Sequence, residues 1–489
     1  MVSSYLLDRE LYPYAALLAD DSQAAEKKRP YQLLKERHCQ IIWLEQKYFK
    51  KLKTIEGEAI EVISPGIWNA GAGPDFLKAH IKIGERVLWG GIEIHLSEED
   101  WYHHGHHLDE RYNSVVLHIS FWKSFSSKPL LTLEGKKLPQ AFLEEELTVS
   151  PGRLLHLIDL DLYPYKSFVG SGRCAHRVFK DLSPEHIRLF FEEASKWRLV
   201  QKGKALQQVS PIPAEQLGAG IARALGYKNN AASFLSLFLL LSTRVHEISE
   251  EELLAFGLRV CGFFGDSYKK WEGSEYYRHL EGLGEKRSLP ISPLVLVLAQ
   301  IRPLNHPIRR IVYLIKLLRS RMLPVLHRNF LTLWEQRWPQ CKERKHFYAL
   351  GHEMRMLFPN YEDEYWNSHY LFEQEKTETQ LVFLGEDFKN TLLINAVLPL
   401  IYDSVRERAN EEECRLFYKF FYRLPEKQSG KSKYLAHRFF GDSSKGQLLK
   451  LAPTQQGAYQ LHHDFCVHYE ASCVGCPFVQ RYIQNSPYE

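Results

Sequence analysis

Long apolar runs are missing from this chain of 489 residues. The longest, Ala231 to Ser242 (AASFLSLFLLLS), is too short to cross a bilayer and fits a buried helix. The opening stretch, MVSSYLLDRELYPYAALLADD, is broken by charges and lacks the apolar centre of a signal peptide. Cysteine is scarce, with eight residues and no spacing typical of a secreted disulfide scaffold. Net charge is scarce too. Lys and Arg number 63 against 59 Asp and Glu, so the formal charge is only +4 and does not by itself indicate a nucleic-acid partner. Repeats and low-complexity tracts are absent. These absences leave a soluble, cytoplasmic, globular protein with no membrane partner as the expectation, built from two or three domains.

What the chain does have is an acidic pair in a strand-rich setting. Pro74-Asp75 is followed by Glu93-Ile94-His95. Glu58 to Ser64 (EAIEVIS) alternates apolar and polar residues, which predicts a strand. Gly66 to Gly73 (GIWNAGAG) is a turn-rich link. Phe76 to Ile83 (FLKAHIKI) and Val87 to Leu96 (VLWGGIEIHL) predict a second and a third strand, turned at Gly84-Glu85-Arg86. Ser97-Glu98-Glu99-Asp100 opens a short helix, with serine as N-cap and acids in its first turn. Val115 to Phe121 (VVLHISF) predicts a buried fourth strand, and Tyr31 to Lys50 an initial helix. Asp75 and Glu93 therefore fall near each other on adjacent strands. Two carboxylates so placed can hold Mg²⁺ or Mn²⁺, with the Ile94 carbonyl as a further oxygen, leaving positions for water and a phosphate. Neutral His95 can orient the attacking water or ligate the ion itself, the latter favouring Mn²⁺, Fe²⁺ or Zn²⁺. The alternative is a decayed site whose acids are ordinary turn and surface residues.

This order of helix, three-strand meander, helix and strand resembles the core of the PD-(D/E)XK, or restriction-endonuclease-like, nuclease superfamily. In that superfamily the aspartate begins the second strand and an E-x-K triplet lies on the third. Asp75 and Glu93 match those places, and His95 stands where the lysine is expected. Glu36, on the first helix, matches an additional acid that some members carry. The resemblance implies a metal-dependent nuclease, a hydrolase acting on DNA or RNA, with Asp75, Glu93, His95 and Glu36 as its catalytic set.

Histidines are the second signal. His95, His103, His104, His106, His107 and His118 are six of the 22 in the chain. The stretch from Trp101 to Asp109 (WYHHGHHLD) invites comparison with the H-x-H-x-D-H loop of metallo-β-lactamase-like hydrolases, but the acid falls at Asp109, one residue late. The expectation for His104, His106 and His107 is support of Glu93 or contact with phosphate. A metallohydrolase built on the histidine cluster is an alternative. His118, alone in an apolar run, reads as a hydrogen-bonded core residue.

From Leu182 onward the pattern is helical. Ser183-Pro184-Glu185 supplies an N-cap, a proline at the first position and an early acid. Helices are expected over 184–203, 213–226, 231–246, 249–262, 306–321, 387–405 and 410–422. Arg302, Arg309 and Arg310, around a proline corner, are candidate phosphate contacts at a helix start. Cys466, Cys473 and Cys476 form C-x6-C-x2-C, and such a cluster can hold zinc or an iron–sulfur cluster when a fourth ligand joins it. In its late cysteines the chain is similar to the PD-(D/E)XK nucleases that carry an iron–sulfur cluster.

Taken whole, the chain resembles a bacterial family of unknown function, family 2851. The stretches that carry this are Asn69 to Phe76, Gly90 to His95, Asp100 to Asp109, Ala224 to Asn230, Arg302 to Arg310 and Cys473 to Cys476. That family name implies no activity. The expected architecture is α+β: a restriction-endonuclease-like α/β core over 1–175, then a large all-α domain over 176–489 carrying the cysteine cluster. A catalytically inactive nuclease fold that binds nucleic acid or acts as a scaffold is the alternative to the nuclease.

Overall fold

The computed structural model describes residues 13–18, 34–69, 71–123, 129–158, 160, 163, 170–285, 294, 296–298, 303–372, 376–469, 473 and 476–485. The chain divides into two compact units. One comprises Leu18–Val169 with His463–Cys476; the other comprises Met1–Leu17, Gly170–His462 and Pro477–Glu489.

The first unit is α+β. Its helix α1 (Glu36–Glu45) buries Cys39, Ile41, Ile42 and Trp43. The indole of Trp43 donates to the Pro65 carbonyl at 2.9 Å. Six strands follow: β1 (Ile60–Ser64), β2 (Ile67–Trp68), β3 (Phe76–Ile83), β4 (Arg86–Ser97), β5 (Val115–Trp122) and β6 (Gln140–Phe142). They form one sheet in the order β1-β3-β4-β5-β6, with β2 beside β3. The meander β1-β3-β4 is antiparallel, and β5 and β6 then run parallel to β4.

The strand bounds follow the alternation in the sequence closely. β3 spans the expected residues, and β4 and β5 end within a residue of expectation. β4 shows why. Ile92 and Ile94 are fully buried on one face, while Glu93 and His95 occupy the other. α1 is shorter than the expected 31–50. Gln46 takes the left-handed conformation as its C-cap (φ 51), and Tyr48 follows at φ 69, so the helix stops there; residues 31–33 lie outside the described residues. The short strands β2 and β6 carry too few residues for alternation to reveal them.

The crossover from β4 to β5 holds one helical turn, α2 (Asp100–His103), and two 3-10 turns, His106–Leu108 and Glu110–Tyr112. Trp101 anchors it. This indole is fully buried with Tyr112, Val115, Leu130 and Leu138 and donates to the Leu131 carbonyl at 2.9 Å. A crossover packed this way holds its intervening histidines over the sheet.

The second unit is helical. Its elements include Pro184–Val209, Pro213–Leu225, Tyr227–Ser242, Glu250–Val260, Pro307–Arg319 and Glu411–Phe421, close to the expected spans. Ser183 caps the first of these by accepting from the His186 amide at 3.2 Å. The expected helix over 387–405 is interrupted by a π turn at Leu393–Val397. Pro399, which has no amide proton for the usual bond to residue 395, lies just beyond it. No helix among the described residues is long and apolar enough to cross a membrane.

Gly90 sets how closely β4 approaches the crossover. A Cβ built there would lie 2.3 Å from the Ser114 carbonyl oxygen and 2.4 Å from Val116 Cγ1. Gly90→Ala is expected to destabilise the protein by about 1–3 kcal/mol in urea unfolding, as overpacked sites do. An unchanged midpoint contradicts the close approach.

Candidate functional site

The acid pair meets through the backbone. The Asp75 amide donates to Glu93 Oε2 at 2.9 Å, and the Ile94 amide donates to Asp75 Oδ2 at 3.1 Å. Each carboxylate thus accepts a bond from the other's strand, and both side chains are almost fully buried. Bonds from amides to ionised groups contribute about 1.5–3 kcal/mol each, which offsets part of the cost of burying charge. The Ile94 amide braces Asp75.

The turn before Asp75 is organised by Asn69. Its side chain accepts from the Gly71 amide at 2.9 Å and donates to the Pro74 carbonyl at 2.9 Å, while its own amide donates to the Asp75 carbonyl at 2.7 Å. Gly91 lets Pro74 lie against β4, since a Cβ there would sit 3.0 Å from the proline ring. The motif N-A-G-A-G-P-D is therefore a device that delivers Asp75 to Glu93.

Histidines complete the face. Across the parallel β4–β5 ladder Glu93 pairs with His118 and His95 with Ser120, so all four side chains share one side of the sheet. His95 Nδ1 lies 2.8 Å from His118 Nε2, and His118 Nδ1 lies 3.4 Å from Ser120 Oγ. His95 Nε2 points the other way, 3.4 Å from Glu93 Oε1 and 3.2 Å from His104 Nδ1. His106 Nε2 lies 3.2 Å from Glu93 Oε1. The His106 ring stacks on Tyr112 at 3.9 Å and parallel to His95 at 5.2 Å. Nitrogens of His95, His104 and His106 fall within 4.8 Å of one another. His95 is buried and His104 exposed, so the group opens to solvent on one side.

Burial dominates the electrostatics around the site. Burial lowers the His118 pKa to about 3, with the charge of His106 adding to it, so this ring is neutral. Burial raises the Tyr112 phenol above its ordinary range, and the charges of Glu93 and Asp75 raise it further. Burial also raises the Cys39 thiol, followed by the charge of Glu36 and then that of Asp75. Glu36 is half-buried at the start of α1, three residues before Cys39.

Other expected residues lie elsewhere. His107 sets its ring against Tyr102 at 4.8 Å instead of joining the group. Asp109 is held by Arg111, whose guanidinium lowers its pKa to about 2. The expectation that Arg309 and Arg310 contact phosphate is corrected. Both are buried in the helical unit. Arg309 donates to the carbonyls of Trp366 and His369 at 2.8 and 2.7 Å. Arg310 donates to the Phe383 carbonyl at 2.9 Å and lies over the Phe388 ring at 4.0 Å. Their charge holds a corner together and is not presented to a ligand. Arg302 lies outside the described residues. Cys466, Cys473 and Cys476 are half-buried in the segment His463–Cys476.

A family model described as protein of unknown function, DUF2851, matches residues 36–429. The chain belongs to that family. The match takes in the whole of the site, from Glu36 to His118. No curated protein and no solved structure matches the chain.

Sequence reasoning located the acids and the histidine-rich stretch and offered support of Glu93 as one role for the histidines, without pairing individual rings. It also read His118 as core without seeing that it grips His95. The available signal was parity: His118 and Ser120 are alternate residues on β5, the pattern that puts two polar groups on one face.

His118 carries a pH signature. Its folded pKa of about 3 lies below the ordinary 6.5, so the unfolded chain takes up this proton first. Its contribution to stability is complete above about pH 6.5 and is lost as pH falls toward 3, at up to about 1.4 kcal/mol per pH unit. His118→Gln is expected to flatten the acid side of the stability profile in urea unfolding. Parallel wild-type and variant profiles contradict a buried neutral imidazole.

Proposed function

We propose that the α+β unit is a metal-dependent phosphodiesterase that hydrolyses DNA or RNA. The observation that carries this reading is the reciprocal bonding of Asp75 and Glu93, with His95 on the same sheet face two residues later. A helix, an antiparallel meander and a crossover to a parallel strand, with the acids at the head of β3 and in the middle of β4, resembles the arrangement expected of a PD-(D/E)XK core and supports the reading. The two sequence signals reinforce each other, because His104 and His106 converge on the residue that stands in the lysine's place.

A divalent ion held here would supply polarisation of a phosphate oxygen and activation of a water. Attack of that water on phosphorus would break the ester P–O bond, with the leaving oxygen taking a proton from solvent. Glu93 supplies a charged oxygen to the ion, and Asp75 holds Glu93 in place and adds negative charge beside it. Glu36, half-buried on α1, is the candidate third acid. His95 cannot replace lysine as a fixed cation. Its Nε2, turned toward Glu93 Oε1, suits a role on the ion.

The test is cleavage of single- and double-stranded DNA and RNA by purified protein with Mg²⁺ or Mn²⁺. Asp75→Asn and Glu93→Gln are each expected to reduce cleavage at least about 100-fold, in the range seen when one main electrostatic group is lost. Cleavage that survives both substitutions contradicts the assignment.

A further inference from the structure

The donor set is richer in nitrogen than a magnesium site requires. Ligand atoms of His95, His104 and His106 lie within 4.8 Å of one another, and Glu93 Oε1 lies 3.4 Å from His95 Nε2 and 3.2 Å from His106 Nε2. We infer that this site holds a transition-metal ion of the zinc, iron(II) or manganese class, ligated by Nε2 of His95 and His106, Nδ1 of His104 and Oε1 of Glu93. The inference rests on the phosphodiesterase reading only for what the ion does, not for its presence.

Three observations support it. First, the spacing fits. Ligands about 2.0–2.2 Å from a tetrahedral ion lie about 3.4 Å from one another, and the pairs His95–His104, His106–Glu93 and His95–Glu93 stand at 3.2, 3.2 and 3.4 Å. Second, the chemistry selects the ion. Magnesium favours oxygen donors and keeps its waters, whereas imidazole suits zinc, iron and related ions. Third, the groups behind the ligands are aimed. His118, fully buried, engages His95 Nδ1 at 2.8 Å, so the opposite nitrogen of His95 faces Glu93 and His104. The Asp75 amide occupies Glu93 Oε2, which turns Oε1 toward the histidines. Tyr112 stacks on His106 and fixes that ring's plane. Outer partners that orient ligands in this way are a general feature of metal sites.

The competing account is a hydrogen-bonded imidazole cluster that only stabilises the crossover. It must place single protons in contacts shared among three rings and a carboxylate, whereas a cation at the centre satisfies all four lone pairs together. The exposed position of His104 gives the ion a route from solvent. It also leaves room for a fifth ligand, such as the water to be activated.

The experiment is titration of metal-free, full-length protein with Co²⁺, read by visible d–d absorption and needing no substrate. Any sulfur-to-cobalt charge-transfer band from the cysteines is recorded separately. The expected result is one Co²⁺ in a nitrogen–oxygen site of low coordination number, displaced by Zn²⁺ but not by a hundredfold excess of Mg²⁺. His104→Ala, at an exposed position, and His106→Ala should each weaken binding at least tenfold without altering the circular dichroism spectrum. His118→Phe should weaken it about 10–100-fold, as loss of an outer partner does. Absence of the d–d band, or affinity unchanged in the His104 and His106 variants, overturns the inference. Histidine-dependent cobalt binding without cleavage of nucleic acid leaves the metal centre standing and defeats the phosphodiesterase reading. Mg²⁺-dependent cleavage indifferent to the histidines does the reverse.

Discussion

The site depends on two hydrogen bonds between β3 and β4. Each joins a backbone amide of one strand to a buried carboxylate of the other, Asp75 to Glu93 and Ile94 to Asp75. Two acids buried side by side repel each other and lose their hydration. The two amide bonds offset part of that cost and hold the pair in register. They also separate the roles of the two Glu93 oxygens: Oε2 meets the Asp75 amide, and Oε1 meets His95 and His106.

The surrounding fold serves this contact. Asn69 shapes the turn that brings Asp75 to the sheet, and Gly91 lets Pro74 approach. Gly90 lets the crossover close down on β4, and buried Trp101 pins that crossover with its histidines above the face. The neutral, buried His118 then joins β5 to His95. The helical unit's most suggestive basic residues, Arg309 and Arg310, are consumed in binding carbonyls.

Much of this was legible in the residue pattern because strand periodicity is strong where one face is apolar. Ile92 and Ile94 against Glu93 and His95 placed the acid on a defined side, and the Pro74-Asp75 step marked the start of the neighbouring strand. Helix starts in the second unit were legible for a similar reason, as Ser183-Pro184 shows. Three-dimensional convergence was not legible. Nothing in a linear spacing says that His104 and His106 fold back onto His95 while His107 turns to Tyr102. That outcome depends on one helical turn and two 3-10 turns around a buried tryptophan. The arginine corner misled because charge beside a helix start reads the same whether it faces solvent or carbonyls buried in the core.

The most direct measurement is anomalous diffraction from crystals of the protein equilibrated with Mn²⁺ or Zn²⁺, collected at the metal's absorption edge. The account predicts a single strong peak about 2.0–2.2 Å from Glu93 Oε1 and the facing nitrogens of His95, His104 and His106. The Asp75 and Ile94 amides should still hold the two carboxylates. A peak elsewhere in this unit, or none with the four groups turned apart, contradicts it.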